Sequence, residues 1–85
     1  MELSAQAEAL IEYLKQQVIR NSAIRIDEDS PLVSSGLVDS FSLIDVLLEL
    51  EKITGRRIPP GRVSPADMDT VRKMLTLAER IGTAK

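Results

Sequence analysis

The sequence predicts an all-α fold: a bundle of three main helices plus one short helix, with a long loop between helices 1 and 2. Three observations carry this. Apolar residues recur at helical spacing in three segments, and no segment alternates as a half-buried strand does. Each periodic segment is also bounded by residues that cap or break helices. At 85 residues the chain has room for one domain, read here as 1–85 with a core of about 4–81.

The first helix is expected over 4–19. Ala7, Leu10, Ile11, Leu14 and Val18 fall on one face, Ser4 can cap the start, and Asn21 can close the end. Glu8 and Glu12 are a like-charge pair four residues apart, so this helix depends on packing rather than on surface ion pairs. Residues 20–39 then read as a loop rich in turn formers, with Pro31 blocking a continuous helix. A loop this long in a small domain is often functional. Ile24, Ile26, Leu32, Val33, Leu37 and Val38 are its expected anchors to the core.

The second helix is expected over 40–54, capped by Asp39 and closed by Gly55. Its polar residues, Ser42, Asp45, Glu49 and Lys52, form one narrow stripe. Leu43, Val46, Leu47 and Leu50 are assigned to the core. Phe41, Ile44 and Leu48 lie on another flank, and the pattern alone leaves that flank open between extra core and an exposed partner strip. Residues 56–69 hold Pro59, Pro60, Gly61 and Pro65 and are read as loop, with one helical turn around Val63 to Asp67. Asp67 or Asp69 is expected to cap a last helix, whose apolar face is Val71, Met74, Leu75, Ala78 and Ile81 and which ends at Gly82.

Composition narrows the function classes. The chain has no cysteine, which excludes disulfides, thiolate metal sites and thiol catalysis. It has no histidine, the commonest general base and metal ligand. The expectation is a protein that is not itself an enzyme and holds no metal. Asp27, Glu28 and Asp29 lack the spaced ligands and glycine of a calcium loop and read as a solvated acidic turn. No apolar run is long enough for a membrane span and no leader pattern opens the chain, so a cytoplasmic monomer without membrane contact is expected.

The net charge of −2 hides a split. Residues 26–51 hold seven carboxylates and no lysine or arginine, whereas residues 52–85 hold eight basic residues against three carboxylates. Such asymmetry points to a surface that sorts partners by sign. Arg56, Arg57, Arg62, Arg72, Lys73 and Arg80 raise the question of nucleic acid. The slightly acidic whole and the two scattered aromatics, Tyr13 and Phe41, argue against it.

One serine stands apart. In Gly36-Leu37-Val38-Asp39-Ser40-Phe41, a hydroxyl sits at the start of an amphipathic helix, where free N–H groups favour a phosphate ester. Spacing alone equally describes a plain first-turn residue behind the Asp39 cap.

The stretch Asp29-Ser30-Pro31-Leu32, then Ser35 through Phe41, resembles the acyl and peptidyl carrier protein family. The resemblance extends through Ile58-Pro59 and Asp69-Thr70-Val71 and covers nearly the whole chain. It implies that Ser40 accepts the 4′-phosphopantetheine arm of coenzyme A from a phosphopantetheinyl transferase, and that Asp39 caps the helix and helps the transferase engage. It also explains the missing thiol and imidazole, because the arm supplies the one and partner enzymes the other. It favours the partner assignment for Phe41, Ile44 and Leu48, with Asp45, Glu49 and Glu51 as an acidic ring, although Phe41 has the option of turning inward.

The arginines after helix 2, the longer segment between Pro59 and Val71, and Phe41 in place of the family's common leucine depart from carriers of primary fatty acid synthesis. A specialised stand-alone carrier is therefore expected, serving a secondary pathway or carrying an aminoacyl group from a separate ATP-dependent ligase to downstream acyl-transfer enzymes. The alternative is a carrier-like helical interaction module that never takes the arm.

Overall fold

The computed structural model describes residues 4–21 and 23–84. Helix α1 spans Ala5–Tyr13 and begins where the Ser4 hydroxyl accepts the Ala7 N–H at 3.1 Å. It widens into a π-helical stretch over Leu14–Val18, where the Ile19 N–H reaches back to the Leu14 carbonyl at 2.8 Å. Beyond Leu14 the α-spacing no longer holds, and Val18, expected on the apolar face, is only half-buried. The chain leaves through Arg20 in the left-handed region, φ 58°, rather than through Asn21. Asn21 instead turns the following loop, its side chain accepting the Ala23 N–H.

Helix α2 spans Ser42–Thr54, starting two residues later than expected, because residues 39–41 form a turn that leads into it. Asp39 still caps it: Oδ1 accepts the Ser42 N–H at 2.8 Å. At the other end Gly55 adopts φ 69°, a conformation that costs a residue with a Cβ. Two residues of strand follow, β1 (Arg56–Arg57), paired antiparallel with β2 (Thr83–Ala84). A ladder of two residues is too short to leave an alternation pattern, and the sequence gives no sign of it.

Two 3-10 turns follow, Pro60–Arg62 and Pro65–Met68. The second is the short helix expected around Val63 to Asp67. It lies slightly later because Pro65 takes the first helical position and Ser64 and Asp67 close a capping box around it. Asp67 is thereby occupied. Helix α3 (Val71–Ile81) is capped instead by Thr70, whose hydroxyl accepts the Lys73 N–H at 3.0 Å. The expectation of an aspartate cap is corrected on both counts, since Asp69 turns away into the long loop.

The three helices meet on one core. Leu10 and Leu14 of α1, Val46, Leu47 and Leu50 of α2, and Val71, Met74, Leu77 and Ala78 of α3 are all buried. Ile58 and Met68 seal it from the segment after α2. Leu43, Leu75 and Ile81 pack at its edge, only partly buried. Among the described residues no helix is long and apolar enough to cross a membrane.

Candidate functional site

The loop between α1 and α2 is not free. Its acidic turn is clasped by α3: the Arg72 guanidinium bonds Asp29 at 2.7 and 3.1 Å and stands 3.6 Å from Glu28. The Arg72 N–H also donates to the Glu28 carbonyl at 2.9 Å. The hydrogen bond from Arg72 holds the Asp29 carboxyl below the usual range.

A second clasp lies a few residues on. One oxygen of Asp69, Oδ1, accepts the N–H groups of Leu32, Val33 and Ser34 at 3.2, 2.8 and 2.8 Å, and Oδ2 accepts the Ser34 hydroxyl at 2.9 Å. These bonds, the Ser34 amide foremost, hold the Asp69 carboxyl below the usual carboxylate range. The turn they hold passes through Gly36 at φ 85°, a backbone open to glycine and strained for other residues. The Val38 N–H then returns to the Leu32 carbonyl at 2.9 Å.

Leu32 and Val38 are buried, as expected of anchors, and Ile24, Ile26 and Val33 are half-buried. Leu37 is not an anchor. It is exposed, and its neighbour Val38 takes the inward position where the turn closes back onto Leu32.

This clasped loop delivers Asp39 and Ser40 to the start of α2. The Asp39 carboxyl is held below its ordinary value by hydrogen bonds, first from the Ser42 N–H. Ser40 is exposed in the turn ahead of the helix. Nearby serines are spent on structure: Ser30 donates to Asp27, Ser34 to Asp69, and Ser35 to the Pro31 carbonyl. No such bond engages Ser40 among the described residues. An exposed hydroxyl beside a helix N-terminus fits a covalently attached phosphodiester. A small apolar cleft of about 180 Å³ opens at Ser40, walled by Leu43, Ile44 and Leu47 of α2 and by Val63 and Met68.

The flank left open by the sequence faces solvent. Phe41 is 91% exposed, Ile44 57% and Leu48 53%. Phe41 does not turn inward. Asp45 is exposed and Glu49 half-buried beside α1, where burial pushes the Tyr13 phenol up and these two carboxylates push it further. Glu51 lies apart from them. Its Oε2 accepts the N–H of the buried Ile58 at 2.7 Å, so it ties the segment after α2 to the helix rather than standing free. The Asp69 clasp is what sequence reasoning missed, and its only local trace was an aspartate beside a threonine that could also cap.

A family model for the phosphopantetheine attachment site matches residues 8–78. The chain belongs to this family: it is a carrier protein, and its cofactor is covalently attached 4′-phosphopantetheine. It is similar to a D-alanyl carrier protein of Abiotrophia defectiva, with 25% identity over 67 residues, covering 79% of this chain and 85% of that protein. No solved structure matches it.

Proposed function

We propose that this protein is a stand-alone carrier that holds an acyl or aminoacyl group on a 4′-phosphopantetheine arm at Ser40 and is not itself an enzyme. The observation that carries the assignment is Ser40 itself, the exposed serine at the turn into α2 within the matched segment. In the loading reaction the Ser40 hydroxyl oxygen attacks the β-phosphorus of coenzyme A. The P–O bond to the adenosine bisphosphate leaving group breaks, and the serine proton passes to a base of the phosphopantetheinyl transferase. The arm supplies the terminal thiol on which cargo rides as a thioester.

The chain's own residues perform three tasks in this reading. Asp39 caps α2 and fixes the turn that exposes Ser40. Phe41, Ile44 and Leu48 give partner enzymes an apolar contact strip, and Asp45 and Glu49 border it with negative charge. Weak, steered docking of this kind suits a shuttle that must be released after each visit. A tethered arm also raises the effective concentration of cargo at each docked enzyme.

Similarity to a D-alanyl carrier protein supports an aminoacyl cargo, activated by an ATP-dependent ligase and passed to acyl-transfer enzymes. In this reading the protein is a single-domain cytoplasmic monomer serving a specialised pathway rather than primary fatty acid synthesis.

The test is incubation with coenzyme A, magnesium and a broad-specificity transferase, read by intact mass. One phosphopantetheine should be added to the wild type and none to Ser40→Ala. No addition, or addition that survives the substitution, refutes the assignment.

A further inference from the structure

The arginines after α2 are unexplained by the carrier reading, and their position gives them a role. The cleft at Ser40 runs on into a longer groove of about 500 Å³, the two sharing Ile44, Leu47 and Pro60. Leu48, Ile58 and Ile81 make the groove apolar, and Arg57 and Arg62 line it from the segment after α2. Both arginines are exposed, and among the described residues neither forms an ion pair. Arg56 differs, since its guanidinium is tied to the Gly82 carbonyl at 3.2 Å.

Helix geometry separates the charges into two rims. At about 100° per residue, Ile44 and Leu48 occupy one line along α2. Asp45 and Glu49 follow on the side nearest Tyr13 of α1, and Glu51 lies on the opposite side, where the groove opens. The Glu51 carboxylate keeps its charge while it accepts the Ile58 amide, so against Arg57 and Arg62 it leaves that rim net positive. The apolar strip thus has Asp45 and Glu49, with Lys52 at their far end, on one side and a net basic border on the other.

Resting on the carrier reading, we propose that the ligase that loads the cargo docks here through a bipolar element: an apolar ridge with basic side chains on its α1 side and carboxylates facing Arg57 and Arg62. Charge complementarity selects this occupant. A docking face that is basic throughout would place like charges against the two arginines, and such juxtaposition is what rejects wrong partners.

The probe is a pair of short amphipathic helical peptides with the same apolar ridge. One carries lysines on one flank and glutamates on the other; in the second both flanks are lysine. Affinity is measured by titration of the unmodified full chain, with amide shifts reporting the site. The bipolar peptide should bind roughly fivefold more tightly, given two exposed ion pairs. Shifts should centre on Ile44, Leu48, Arg57 and Arg62. The Arg57→Glu/Arg62→Glu double variant should reverse the preference, and added salt should erase it.

Equal or tighter binding of the all-lysine peptide, shifts centred elsewhere, or no binding of either peptide overturns the proposal. The double variant is checked for an unchanged helical spectrum and for modification at Ser40. Failure at Ser40 in the wild type refutes the carrier reading, whereas normal modification with no peptide preference refutes the bipolar surface alone.

Discussion

Leu48 and Leu50 stand two residues apart on α2, and the same substitution at each should have opposite consequences. Leu50 is fully buried, so Leu50→Ala removes transferred apolar surface and leaves a cavity in the core, at a cost of about 2–5 kcal/mol. Leu48 is 53% exposed. A fully buried leucine side chain is worth about 1.5–3 kcal/mol, so the half that Leu48 hides is worth about 1 kcal/mol, with no enclosed cavity to add. With a urea slope near 1 kcal/mol per molar for so small a protein, Leu48→Ala should lower the unfolding midpoint by about 1 M and Leu50→Ala by about 3 M. Total stability for a domain of this size can be as little as about 5 kcal/mol, so the Leu50 variant is left marginal.

Function should divide the other way. Docked by its exposed strip, Leu48→Ala should slow transferase modification and ligase loading roughly tenfold while remaining folded under the assay conditions. Leu50→Ala should load at nearly the wild-type rate per folded molecule. Equal midpoints for the two variants would show that Leu48 is a core residue. Unchanged loading of Leu48→Ala at low salt would remove the strip from docking altogether.

Further predictions concern polar groups. Glu51→Ala orphans the amide of the buried Ile58 and should cost about 1–2 kcal/mol by denaturant titration, whereas Glu51→Gln keeps an acceptor and should be nearly neutral. Asp69→Ala should speed amide exchange at Val33 and Ser34 and slow modification of Ser40, while Leu32, whose N–H also bonds the Asp69 main-chain carbonyl at 2.7 Å, and the middle of α1 stay protected. The carboxyls of Asp29, Asp39, Asp67 and Asp69 are all held low in the fold, so the unfolded chain binds protons first as pH falls. Their stabilisation is complete above the ordinary carboxylate range and lost through and below it, so the thermal midpoint should fall as pH drops into that range. Asp45→Lys should slow loading several-fold at low salt, with the difference narrowing as salt rises.

The helices were legible because their information is local. A 3.6-residue period over Val71–Ile81 or Ala5–Tyr13 declares the buried face directly, and Ser4 and Gly55 mark ends through their immediate neighbours. The apolar pattern left the flank of Phe41, Ile44 and Leu48 open between core and partner strip, the family resemblance favoured the strip, and the three residues are exposed. What escaped was non-local. Nothing around Asp69 says that its carboxylate will serve three amides more than thirty residues away, and nothing around Glu51 announces the Ile58 amide. Asp67 and Asp69 were competing caps for one helix start, and the assembled fold gives each another duty and the cap to Thr70. The π-helical stretch at Leu14–Val18 has no residue signature of its own among ordinary helix formers.

The Asp69 clasp makes timing part of the protein's chemistry. The turn that leads to Ser40 takes its amide acceptor from a residue at the threshold of the last helix, and Arg72 adds its grip one turn further on. During synthesis Ser40 leaves the ribosome while Asp69 and Arg72 are still inside the exit tunnel. A chain truncated before Asp69 likewise shows a transferase the serine without the shape around it. With the arm attached at Ser40 as proposed, the coenzyme A consumed in attaching it would be reserved for chains that have finished folding.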